Sequence, residues 1–178
     1  MDSINNNQPE DNYEDLTGEK GLKKMKMLIE KASSTCFFCT NMNSNNFSTR
    51  PMAVQKTDED GNLWFLSAID SQKNIDIQQN PAVQLLFQGS PHSDFLSIQG
   101  RASISQDKTM IEELWEPIIK TWFTEGVNDP RITVIKVEPT DGYYWDTKHA
   151  QVVSLFKRLV GAAIGKTLDD SVEGTISV

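Results

Sequence analysis

Between Thr35 and Asp146 the chain is a succession of short runs rich in aromatic and β-branched residues, closed by Pro, Gly, Asn or Asp. This rhythm constrains the fold most, because such runs suit hairpin-linked strands better than helices. Thr35–Thr40 (TCFFCT) reads as a strand, and 41–46 as a polar turn. Thr49–Thr57 (TRPMAVQKT) is a second strand, with Pro51 near its start, where a missing N–H is tolerated. Asp58–Asn62 is a hairpin-type turn into the strand Leu63–Ser67 (LWFLS). Ala82–Gln88 and Phe95–Ile104 follow, with Gly100 marking a bulge or bend. Ile132–Glu138 and Asp141–Asp146 give two more strands around Pro139.

Helical spacing appears between these runs. Leu22, Met25, Leu28 and Ile29 share one face of a helix over Gly21–Lys31, with Lys23, Lys24 and Lys26 on the others. Asp70–Asn80 is a short helix capped by Asp70 or Ser71, with Ile75 and Ile77 as apolar contacts, and Pro81 ends it. Asp107–Trp122 is helical with an interruption at Pro117, and Val152–Ile164 is a helix packed on the body. The expected architecture is mainly β, an antiparallel β-barrel with helical insertions, rather than a parallel α/β sheet. No internal repeat is seen. Residues 1–17 form an acidic N-terminal tail expected to be disordered, 18–165 the domain, and 166–178 a C-terminal tail.

The chain has 178 residues, 38% hydrophobic and 24% charged, enough for one solvated domain with its own core. A formal net charge of -8 argues against broad binding to the phosphate backbone of nucleic acid. No apolar run approaches the ~20 residues that span a bilayer. The N-terminus lacks a basic-then-apolar leader, so a cytoplasmic protein is expected.

Candidate chemistry is sparse. Cys36 and Cys39 form a C-x-x-C inside a strand pattern, where alternation sends the two sulfurs to opposite faces. That opposes a redox pair and a shared metal alike. His92 and His149 lack ligand spacing, so no metal site is expected. Ser71 and Lys73 open a helix after a strand, where free N–H groups favour an anion, and Arg50 could converge on it. The competing reading is a capping serine beside a solvated lysine. Trp64, Trp115, Trp122 and Trp145 suit either packing or stacking on a flat ligand. No Gly-x-Gly-x-x-Gly dinucleotide fingerprint is present.

Thr49-Arg50-Pro51-Met52-Ala53, Leu63-Trp64-Phe65-Leu66-Ser67, Ser71-x-Lys73 and Asn80-Pro81 occur in an order and spacing that resemble the flavin-binding split barrels of the pyridoxamine 5'-phosphate oxidase superfamily. Leu114-Trp115-Glu-Pro117, Trp122-Phe123, Glu125-Gly126, Asp129-Pro130, Val137-Glu138-Pro139 and Tyr144-Trp145-Asp146 resemble its bacterial general stress protein branch. The likeness spans about residues 18–165. It implies a six-stranded antiparallel split barrel and a homodimer with FMN at the interface. The anion near Arg50, Ser71 and Lys73 becomes the flavin phosphate. Pro51 and Met52 join the cofactor site, Trp64, Phe65, Leu66 and Ser67 run along the ring edge, and Trp115 and Trp145 approach from the partner chain. Two departures stand out. The phosphate-binding lysine of true pyridoxamine phosphate oxidases is replaced by Gln55, and their Arg-x-His by Gln151 and Val153. The resemblance thus implies a retained flavin site and a lost vitamin B6 site. The expected function is a flavin-dependent oxidoreductase on a small acceptor, with no catalytic residue assigned. The alternatives are a non-catalytic flavin-binding, buffering or sensing protein and, less favoured, a pyridoxine phosphate oxidase.

Overall fold

The computed structural model describes residues 12–43, 47–147 and 171–178. The expected helix over 152–164, residues Gln151 and Val153, and most of the acidic tail lie outside them. The chain runs β1 (Leu16–Thr17), α1 (Gly18–Lys31), β2 (Thr35–Thr40), β3 (Ser48–Ala53), β4 (Lys56–Thr57), β5 (Leu63–Ala68), α2 (Gln72–Gln79), β6 (Ala82–Gln88), β7 (Phe95–Ser105), α3 (Lys108–Leu114), β8 (Ile132–Thr147) and β9 (Ser171–Ser177). Two 3₁₀ turns, Pro117–Thr121 and Gly126–Asn128, separate α3 from β8. The fold is mainly β, as expected. Among the described residues no helix is long and apolar enough to cross a membrane.

The sheet departs from six antiparallel strands in three ways. Among the described residues it contains nine strands, in the order β1-β9-β8-β7-β6-β2-β3, with β5 also on β8 and β4 on β5. It is mixed, because β1 pairs with β9 in parallel. It is not closed by an unbroken ladder. β3 pairs with β2, and after Val54 and Gln55 the same segment pairs with β5 through β4. The Val54 N–H donates to Ser34 at 2.7 Å and the Gln55 N–H to Trp64 at 2.8 Å. The chain crosses between the two sides there, so the barrel is split beside this crossing.

Pro139 does not divide β8. Gln99 pairs with Asp141 and Gly100 with Pro139, leaving Thr140 as the extra residue of a bulge. A Cβ on Gly100 would lie 2.6 Å from the Glu138 carbonyl oxygen, so glycine permits this close approach. Ser171–Ser177, read from sequence as tail, is a strand on the second half of β8. Glu14 and Asn12 bond to its Glu173, so these residues of the expected tail are ordered against the sheet.

The barrel core gathers Met25, Leu28 and Ile29 of α1 with Phe38, Leu63, Phe65, Leu85, Leu96, Ile98, Ile135, Val137 and Tyr144. Phe38 and Phe65 meet edge to face with centroids 5.2 Å apart. A second cluster of Ile111, Leu114, Ile119, Phe123, Ile132 and Val134 packs the α3 region on the outer face of β5 and β8. Strand alternation separates the two: Leu63 and Phe65 enter the barrel, while Trp64 and Leu66 pack on the second cluster.

Candidate functional site

The split in the barrel opens a cleft of about 380 Å³. Arg50–Ala53 and Gln55 form one wall and Leu66–Ala68 another; Lys73 closes one side, and Ile119, Trp122 and Phe123 the rest. Its position follows from the pairing. Among the described residues β3 has β2 as its only ladder partner, and β4 covers only the start of β5. The remaining edges of β3 and of Leu66–Ala68 therefore face the cleft with backbone groups that no ladder uses, and such groups suit the polar rim of a flat ligand.

The cationic end is built from two elements. Arg50 comes from β3, beside Phe38 in register. Its Nη1 donates to Thr40 Oγ1 at 2.7 Å and to the Phe38 carbonyl oxygen at 3.4 Å, and its Nη2 lies 3.5 Å from Asp76 Oδ2. Lys73 comes from the first turn of α2. Burial and the nearby Arg50 charge hold its ammonium below the usual lysine range. Two cations brought together and partly desolvated form a site that an anion would relieve.

Ser71 is the N-cap residue of α2, with extended backbone angles but no side-chain capping bond. Its hydroxyl instead sits 3.0 Å from Ser67 Oγ. Ser67 donates to Asn74 Oδ1 at 2.9 Å, Asn74 Nδ2 donates to Thr133 Oγ1 at 2.8 Å, and Thr133 donates to the Ser67 carbonyl at 3.1 Å. This buried network fixes the start of α2 beneath the cleft.

Of the expected site residues, Arg50, Pro51, Met52, Leu66, Ser67 and Lys73 line one cleft. Ser71 adjoins it through Ser67. Phe65 faces the barrel core. Trp64 packs on the outer cluster and donates Nε1 to Asp58 Oδ2 at 2.9 Å. Trp115 packs on that same cluster, and Trp145 lies on the far half of β8, 4.7 Å from Tyr143 between ring centroids. Sequence reasoning named Trp122 among four tryptophans suited to packing or stacking but did not place it in the cofactor site, and it missed Thr40, Asn74, Asp76 and Thr133 as supports. Trp122 carried a signal, since it stands in the Trp122-Phe123 motif of the resemblance; the structure leaves it 66% exposed.

Cys36 and Cys39 are both buried free thiols. Burial, helped by Cys39, pushes the Cys36 thiol up to about 12, which makes it an inert core residue at neutral pH.

A family model described as pyridoxamine 5'-phosphate oxidase like matches residues 20–169. The chain belongs to this family. Its relatives carry the general stress name alongside others. Protein bli-3 of Neurospora crassa is 28% identical over 139 residues, covering 73% of this chain and 62% of that protein. The chain spans about three fifths of the length of the curated relatives it matches. The crystal structure of general stress protein 26 from Bacillus anthracis is 27% identical, with a TM-score of 0.59 over 69% of this chain and 92% of that one. The general stress FMN/FAD binding protein of Xanthomonas citri superposes with a TM-score of 0.57 at 22% identity, over 67% of this chain and 84% of that one. At that identity the last likeness speaks for the split-barrel fold alone.

Proposed function

We propose that this chain binds FMN in the cleft as a homodimer and serves as a cytoplasmic flavin-dependent oxidoreductase on a small acceptor. The observation that carries the reading is the juxtaposition of Arg50 and Lys73 in a cleft whose other walls are mostly apolar. That polarity matches a planar ring with a phosphate tail. The volume lies toward the low end of the ~300–1,000 Å³ typical of small-ligand sites, which suits a ligand shared with a second chain. The outer face next to the cleft supports the dimer. Phe37 pairs in register with Pro51 and with Leu86, and Phe37 and Leu86 are both large exposed apolar residues. Pro51 also lines the cleft, so a second copy covering this patch would cover the ligand.

When bound, flavin supplies the electron-transfer chemistry, and the protein positions and shields it. Among the described residues, Arg50 and Lys73 are the ionisable side chains lining the cleft, and these residues place no carboxylate or imidazole on its walls as a general acid or base. This favours chemistry confined to the cofactor, and it also supports the second reading, a flavin-binding protein without turnover. Gln55 puts a neutral amide at the cleft where a vitamin B6 phosphate would need a cation.

Calorimetric titration is expected to show FMN bound at least 10-fold more tightly than riboflavin; equal affinities would remove the phosphate-site argument. Sustained NADH or NADPH oxidation with an added acceptor separates the enzyme from the binding protein. Pyridoxine 5'-phosphate in the same assay is expected to give no pyridoxal phosphate at enzyme-like rates. Light scattering at micromolar concentration is expected to find a dimer, and finding only monomer would sink the shared site.

A further inference from the structure

Polar side chains hold α2 on the barrel. Its buried residues are Asn74, Asp76 and Ile77, and only Ile77 is apolar. Burying an amide and a carboxylate is unfavourable unless each is hydrogen-bonded. Asn74 joins the Ser67–Thr133 network under the cleft. Asp76, 6% exposed, reaches the opposite wall. Its Oδ2 accepts from Thr40 Oγ1 at 2.6 Å and its Oδ1 from Gln72 Nε2 at 2.9 Å. Burial opposes the charged form, yet these bonds and the Arg50 charge hold the carboxyl below its usual range, so it is an anion at neutral pH.

Asp76 does not line the cleft; Arg50 does. The carboxylate therefore stands behind the guanidinium. The direct Arg50–Asp76 contact is long, 3.5 Å, and the short bonds run through the Thr40 hydroxyl, which receives from Arg50 and donates to Asp76. Contacts to Thr40, Phe38 and Asp76 use Nη1 and Nη2, and of the five N–H donors of the group the Nε–H takes no part in them. Nearby stands Lys73, a like charge that would repel Arg50 toward solvent.

We propose that Asp76 is a positioning residue that, through Thr40, holds the Arg50 guanidinium in place to receive the anionic group of the ligand. The proposal rests on the phosphate reading of the cleft. It excludes the opposite role, in which the carboxylate competes with ligand phosphate for Arg50.

FMN and riboflavin titrations of the wild type, Asp76→Ala, Arg50→Ala and the double variant form the test. Asp76→Ala is expected to lose about 10-fold in FMN affinity and to leave riboflavin unchanged. In the Arg50→Ala background the same change is expected to cost nothing further, because its effect passes through Arg50. Asp76→Asn, which keeps an acceptor, is expected to lose less than Asp76→Ala and guards against a variant that misfolds. In the ligand-free protein, ¹⁵N relaxation of the Arg50 Nε–Hε group is expected to show an ordered side chain that becomes mobile in Asp76→Ala. Tighter FMN binding, an equal loss of riboflavin, or an undiminished loss without Arg50 would overturn the proposal. If the wild type binds FMN and riboflavin alike, the phosphate reading has failed. The Nε–Hε measurement then decides the positioning role alone, and an equally ordered Arg50 in Asp76→Ala refutes it.

Discussion

At the scale of the residue, the cleft holds Lys73 in surroundings that disfavour its charge. Its depressed pKa means that the folded state disfavours the charged ammonium, through burial first and Arg50 second. Lys73→Ala is expected to cost roughly 1.5–3 kcal/mol of FMN binding as a lost charge-assisted contact. That corresponds to about 10- to 100-fold in affinity, with riboflavin little changed. The ligand-free variant is expected to melt no lower than the wild type, since removing a disfavoured charge relieves the fold. Equal weakening of both ligands would show that Lys73 acts through structure instead. A preference for FMN that declines in alkali, below the usual lysine range, is the matching pH signature. The meeting of Arg50 and Lys73 in one cleft was legible, Lys73 because it opens a helix after a strand and Arg50 because it begins a neighbouring strand. Asp76 and Asn74 were not, because Gln72–Gln79 (QKNIDIQQ) reads as a solvated helix with Ile75 and Ile77 inward. The structure leaves Ile75 exposed and turns the amide and the carboxylate in. Polar burial of this kind has no periodic signature, since its partners Thr40 and Thr133 lie on distant strands.

At the scale of the element, legibility followed locality. Thr35–Thr40 and Ala82–Gln88 were read to the residue because each run is bounded by its own turn signals. Pro139 was read as a break because proline lacks a ladder donor, but a bulge opposite Gly100 lets the strand continue. Ser171–Ser177 (SVEGTIS) was missed because only Val172 and Ile176 mark its inward face, and Gly174 between them gives no hydrophobic signal. Gly174 has its own requirement. A Cβ there would lie 1.9 Å from the Glu14 carbonyl oxygen, which also accepts the Tyr144 hydroxyl at 2.8 Å. Gly174→Ala is expected to push the segment 12–17 off β9 at a cost of about 1–3 kcal/mol, the usual range for overpacking. Hydrogen exchange checks it: the Glu14 and Glu173 amides, bonded across this seam, should lose protection while those of β6 and β7 keep theirs. Protection lost uniformly would mean that β9 is integral to the barrel and not an added edge.

At the scale of the molecule, one ion cluster ties α1 to the sheet. Lys31 of α1 bonds Asp94, at the entry to β7, and lies 3.7 Å from Asp146 of β8; Lys24 of α1 bonds Asp146 from the other side. Asp94 also accepts from Ser93 Oγ at 2.9 Å. Burial alone would raise its carboxyl, but Lys31 first, then the hydrogen bond it shares with Asp146 and those from Ser93 and Ser90, hold it at about 2, against 3.8 for an unperturbed group. A carboxyl depressed on folding adds stability that is complete above the unfolded pKa and is lost as pH falls through the folded one. The window is therefore about pH 4 to 2, and the loss on the order of 2 kcal/mol. Asp94→Asn tests this cleanly, because the residue has φ +63°, a left-handed conformation that asparagine tolerates. Urea unfolding at pH 7 is expected to find the variant less stable than the wild type, with the gap narrowing toward pH 2. Breaking this pair leaves Lys31 with Asp146 alone, so α1, which supplies Met25, Leu28 and Ile29 to the core, should loosen first. A gap independent of pH would mean that Asp94 contributes through shape and hydrogen bonding rather than charge.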